Sequence, residues 1–182
     1  MKKTVLTFGL ISGAISSLLM MATVPFMHKM GFNKGLVIGY TAIVLSFLLV
    51  FFGIRSYRDN VGNGRITFAK AFAVGISITL ISCIFYVVTW EIIYFNFLPN
   101  FMDDYGAHMI DKLKASGASA AAIHAQVEQN KKLKEMEDNP LLNAAMTFTE
   151  PFPVGLAITL ISAAVLRRKP QPQHGQSPLP AS

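Results

Sequence analysis

The sequence predicts an all-α integral membrane protein with four transmembrane helices and a helical extracytoplasmic insert between spans three and four. Three observations carry that prediction. Of the 182 residues, 52% are hydrophobic and only 14% charged, which excludes a disordered or collagen-like chain and is unusual for a soluble domain. Four stretches approach the roughly 20 apolar residues that a helix needs to cross a hydrocarbon core. Lysine and arginine, finally, alternate between sparse and dense flanks from one stretch to the next, as positively charged cytoplasmic loops do.

The first span is expected over residues 4–27, from Thr4 to Met27, without a charge. Lys2 and Lys3 ahead of it also fit a signal peptide. The apolar run of about 24 residues exceeds the roughly 7–15 of a signal's core, and no small-x-small site closes it, so it is read as a retained span. The second covers residues 35–54, Gly35 to Ile54, stopped by Arg55, Tyr57 and Arg58. In the following loop Val61-Gly62-Asn63-Gly64 is turn chemistry, because glycine and asparagine adopt positive φ at low cost. The third span runs over residues 72–98 and carries one acid, Glu91; the fourth, residues 141–166, is interrupted by Glu150, Pro151 and Pro153.

Between these last two lies an insert over residues 99–140. Asp103 and Asp104 suit the start of a first helix and Lys112 and Lys114 its end, by the helix dipole. Ser116-Gly117 breaks it, Ser119 is placed to cap a second helix reaching Asp138, and Asn139-Pro140 ends that one. Ile123, Val127 and Met136 form a thin apolar stripe on the second helix, too weak to fold alone, so the hairpin is expected to rest on the long third span or on lipid headgroups. Residues 4–169 therefore read as one membrane domain. Residues 170–182, rich in proline, read as a disordered cytoplasmic tail.

With the N-terminus inside, the cytoplasmic flanks hold nine bases (Lys2, Lys3, Arg55, Arg58, Arg65, Lys70, Arg167, Arg168 and Lys169) against the single acid Asp59. On the opposite side seven bases are balanced by seven acids, most of them in the insert. Both termini are thus expected in the cytoplasm. Arg55, Arg58 and Arg65 form a basic surface that either serves topology alone or meets anionic lipid headgroups.

Small residues recur at four-residue spacing: Gly9, Gly13 and Ser17 in span one, Gly35 and Gly39 in span two, Ala71, Gly75 and Thr79 in span three, Gly155 and Thr159 in span four. Such stripes bring helix backbones together inside a bundle or between copies of the chain. Val74–Ser82 and Val154–Ser162 are identical at seven of nine positions. Their flanks diverge, so shared apolar vocabulary accounts for the likeness better than duplication.

Counted from the cytoplasmic ends, Glu91 and Glu150 lie roughly 28 and 24 Å up, at similar depth. Acids within spans are costly and face a bundle interior, a partner or a water cavity. Together, with His28 at the end of span one, they make a candidate ion or polar site beside a proline-broken helix. The plainer reading puts Glu91 among the interfacial aromatics Trp90, Tyr94, Phe95 and Phe97, and makes Glu150 the cap of the half-helix opening at Pro151. Enzyme motifs are missing: there is no HExxH, GxSxG, P-loop or Cys-His pair, and the one cysteine, Cys83, lies in an apolar run. No catalytic residue, metal, cofactor or nucleic-acid partner is expected.

Several stretches also carry a resemblance: GIRSYRDN, GNGRITFAKAF, the insert ASGASAAAIHAQVEQNKKLKEMEDNPLLNA, and TFTEPFPVGLAITLISAAVLRRK. In these the chain resembles the four-span membrane proteins grouped as domain of unknown function 4199, from Lys3 to Lys169. Arg55, Tyr57, Arg58, Gly64, Phe68, Glu150, Pro153 and Gly155 match the family-like motifs. The resemblance implies a multi-pass protein of the bacterial inner membrane with unassigned activity and gives no catalytic role to any residue. The expected function is a non-enzymatic membrane interaction or scaffold protein, with the bilayer, another membrane protein or a second copy as partner. The alternative is a small proton- or cation-linked transporter using Glu91 and Glu150.

Overall fold

A computed structural model describes residues 1–26 and 32–168. Its elements are α1 (Lys2–Thr23), a 3-10 turn (Val24–Phe26), α2 (Phe32–Asn60), α3 (Phe68–Phe97), α4 (Phe101–Ala115), α5 (Ala120–Glu137), α6 (Pro140–Phe148) and α7 (Pro151–Leu166). Four helical stretches are long and apolar enough to cross a membrane: Lys2–Thr23, Lys34–Asn60, Phe68–Phe97 and Pro140–Leu166, the last being α6 and α7 together. The described residues form no strand, and a single antiparallel bridge joins Ile66 to Arg168.

Span ends differ from the apolar runs because a helix does not stop where hydrophobicity does. The second was expected to end at Ile54, but α2 continues to Asn60. Arg55 and Arg58 are good helix formers in water, and both pair with Asp59, at 3.6 and 2.7 Å. The third begins four residues before Phe72, at Phe68, where the Thr67 side chain accepts a hydrogen bond from the Lys70 amide. The turn between them is as the composition suggested: Asn63 and Gly64 have φ of 48° and 77°. Met27, the expected end of span one, and the expected tail over 170–182 lie outside the described residues.

α1 packs against α3 and α2, and α7 packs against the same two helices. Val50, Ile54, Val74 and Ile78 are fully buried at the centre. Close approach follows the small residues: a Cβ on Gly13 would fall 2.7 Å from Phe85, and one on Gly75 2.8 Å from Thr159. Buried hydroxyls then bond across the gaps, Ser12 donating to the Ser46 carbonyl at 2.9 Å and Ser17 pairing with Thr89 at 2.7 Å. This is the packing logic of helices without a hydrophobic drive between them.

The nine-residue likeness has a geometric meaning. A Cβ on Gly75 would meet Thr159, one on Gly155 would meet Thr79 at 2.4 Å, and the two threonine hydroxyls lie 3.1 Å apart. The two copies of the segment pack on each other, each supplying the glycine that receives the other's threonine. This reciprocal contact gives two of the seven shared positions, the glycine and the threonine, a common structural role.

The insert forms the expected helical hairpin, α4 and α5, with Gly117 at φ 73° in the turn and Ser119 capping α5 through the Ala122 amide at 3.2 Å. Its packing face is not the expected one. Val127 and Met136 remain 41% and 42% exposed, and no residue of α5 is fully buried. Of the expected stripe Ile123 is half-buried, and Gln126, Asn130, Leu133 and Glu137, spaced four, three and four apart, turn inward with it. Asn130 donates to the Gly106 carbonyl at 3.1 Å and Lys134 pairs with Asp103, so polar contacts join the two arms.

Candidate functional site

The hairpin docks on the end of the bundle through aromatic residues. The Phe101 ring meets Trp90 edge-on, centroids 5.4 Å apart, and Tyr94 at 6.2 Å, while Met102 is buried. Trp90 and Tyr94 were expected in an interfacial belt, but only their neighbours behave so: Phe97 is 71% exposed, whereas Tyr94 is buried and its hydroxyl donates to Asp138 at 3.4 Å. A one-residue step along a helix turns a side chain by about 100°, so a run of aromatics divides between lipid and neighbour.

Beneath the docked hairpin lies a cavity of about 420 Å³. Every helical element except α7 contributes to its wall, and Glu150, at the mouth of α7, closes the circle. On the side of α2 stand Gly35, Gly39 and Tyr40. The Gly35/Gly39 stripe was expected to bring another helix close; a Cβ on Gly39 would meet nothing within 4 Å. Facing the chamber, that glycine makes room and does not act as a packing contact.

The fourth span breaks between Phe148 and Pro151. Thr149 ends α6 with its amide on the Met146 carbonyl, and the Glu150 amide reaches Thr147 at 3.3 Å. The prolines enter at the first turn of α7, where a missing N–H costs nothing. Glu150 stands at the N-cap position but makes no capping hydrogen bond. Its carboxylate accepts instead from the Tyr86 hydroxyl at 3.0 Å, across the chamber wall. The acid therefore holds the expected cap position while its side chain makes an inter-helix contact in place of a capping hydrogen bond.

A second carboxylate faces the same space. Glu137, the last residue of α5, lines the cavity with Glu150. Its own carbonyl accepts from Asn143 at 3.0 Å, and fully buried Asn143 also accepts from Thr147 at 3.1 Å, which locks the end of the hairpin to α6. Partial burial and the charges of Glu150, Glu91 and Asp138 push the Glu137 carboxyl up to about 7. Glu91 is near enough to act on Glu137 but is not among the cavity residues; its Oε1 is buried and accepts no hydrogen bond within the described structure. His28 lies outside the described residues. Arg55, Arg58 and Arg65 fall at the other end of the bundle, around the turn between α2 and α3.

Sequence reasoning missed Glu137. Glu128, Glu135 and Glu137 look alike in a polar helix, and the stripe that distinguishes the last is made of Gln126, Asn130 and Leu133, which a search for apolar periodicity passes over. Among the described residues no three His, Cys, Asp or Glu side chains are grouped so as to hold a metal ion.

Fold and site together define a small all-helical protein with four helical stretches apolar enough to cross a membrane and a roofed, aromatic and acidic chamber at one end of their bundle. The chain matches the family model described as protein of unknown function (DUF4199) over residues 7–168, and it belongs to that family. No curated protein and no solved structure matches it.

Proposed function

We propose that this chain is a non-enzymatic interaction protein of the bacterial inner membrane, with both termini cytoplasmic, the hairpin on the outer face and the roofed chamber as its working part. The chamber carries the reading: four spans and a hairpin surround an open volume lined by aromatic rings and two carboxylates, the form of a small-molecule site. Orientation rests on the charge bias, nine bases to one acid around the Arg55/Arg58/Arg65 end. Anionic headgroups are the partners that end would meet, through Arg55 above all, whose side chain is largely exposed.

A proton-linked transporter is the second reading, favoured by the Tyr86–Glu150 contact beside a broken helix. Proteoliposomes holding a pH-sensitive dye under an imposed pH gradient separate the two. Interaction without transport predicts decay of the gradient at the rate of empty liposomes. A faster decay that Glu91→Gln with Glu150→Gln abolishes would establish transport in its place. For orientation, in a Cys83→Ala background an impermeant maleimide should label Ala121→Cys on intact cells and leave Val61→Cys unlabelled; the reverse pattern would invert the topology.

A further inference from the structure

The charged side chains in the chamber's described lining are Glu137 and Glu150, and no lysine, arginine or histidine joins them. The described part of the wall therefore repels an anion and attracts a cation. Aromatic rings reinforce the preference, since Tyr40, Tyr86, Trp90 and Tyr105 all line the same space and their faces attract positive charge. Met20, Met102 and Phe101 add apolar surface for which a hydrated metal ion has no use. Volume argues the same way: about 420 Å³ falls within the roughly 300–1,000 Å³ of pockets for small organic ligands. A bare ion would want a tight ring of oxygens, and the described carboxylates do not form one.

We propose that the chamber binds a small organic cation with an apolar body, a protonated or quaternary amine, its charge held by Glu137 and Glu150 and its apolar part against Trp90, Tyr86 and Met102. This deepens the reading of the chamber as a binding site and rests on it. Tyr86 fixes the Glu150 carboxylate by its hydrogen bond, and the Asn143 contact to the Glu137 carbonyl fixes the second acid's helix end. One carboxyl group is thus held through its side chain and the other through its backbone, which lowers the ordering cost of binding.

Three probes of one shape test the charge. Benzyltrimethylammonium, its uncharged isostere neopentylbenzene, and anionic benzylsulfonate are titrated against the full-length protein in nanodiscs. Binding is followed by calorimetry and by emission of Trp90, the only tryptophan, with empty nanodiscs as the reference. The expected result is saturable binding of the cation alone, weakened about tenfold by Glu137→Gln or Glu150→Gln and unchanged by Glu135→Gln, an exposed acid of the same helix. If a Gln variant does not fold, the wild-type salt dependence carries the test: cation affinity falls at high sodium chloride. Equal binding of neopentylbenzene, tighter binding of benzylsulfonate, or cation affinity indifferent to both Gln variants and to salt overturns the cation assignment and leaves the chamber as a binding site. No saturable binding of any probe overturns both.

Discussion

Glu137 shows how a residue acquires its chemistry from packing alone. Its folded carboxyl stands at about 7 against an ordinary value of 4.5, through burial first and then the charges of Glu150, Glu91 and Asp138. Tyr94, hydrogen-bonded to Asp138, and Tyr86, hydrogen-bonded to Glu150, are the neighbouring hydroxyls. Because the folded state holds the proton more tightly than the unfolded one, this group's stabilisation is complete below about 4.5 and is lost as the pH rises through about 7. Thermal unfolding should therefore show the wild type losing more stability than Glu137→Gln between about pH 5 and pH 8; parallel losses in the two proteins would remove Glu137 from the acidic cluster. Glu91 and Glu150 were legible in the sequence because each interrupts an apolar run. Glu137 was not, since its neighbours along the chain are water-facing and its environment is made by residues from three other elements.

At the scale of elements, the stretches that cross the membrane were readable because twenty apolar residues have few other uses. Their ends were not, since charged residues extend α2 past its apolar run and Thr67 starts α3 before its own. The cap at Ser119 and the breaks at Asn139-Pro140 and Pro151 were legible from local chemistry, as the Ser119–Ala122 hydrogen bond attests; that Asn139 also caps the helix after it, through the Leu141 amide, was not. Small-residue stripes read alike in sequence and differ in place. A Cβ on Gly155 would fall 2.4 Å from Thr79 and 3.0 Å from the Phe47 ring, so Gly155→Leu should cost about 1–3 kcal/mol in overpacking. Gly39 has nothing within 4 Å, and Gly39→Ala should be neutral or stabilising by about 0.5–1 kcal/mol. Thermal unfolding of both variants in one detergent checks the contrast; equal losses would mean that the two glycines share an environment.

The whole molecule is a bundle with unlike ends. One end is tied by the Ile66–Arg168 bridge and carries Arg55, Arg58 and Arg65; the other opens into the chamber and is covered by a hairpin held through aromatic and polar contacts. That a hairpin lies between the third and fourth spans was evident from composition. That it roofs an acidic chamber was not, because its inward face mixes Ile123 and Leu133 with Gln126, Asn130 and Glu137, while Val127 and Met136 of the expected stripe stay exposed. The cover is the claim on which the functional reading depends, and Trp90, which lines the chamber under Phe101, reports on it directly. The measurement is acrylamide quenching of Trp90 in nanodiscs, for the wild type and for Phe101→Ala with Met102→Ala. Weak quenching in the wild type that rises in the double variant, with helical content retained, is the predicted result. Strong quenching in the wild type, equal to that of the variant, would show that the hairpin does not cover the bundle.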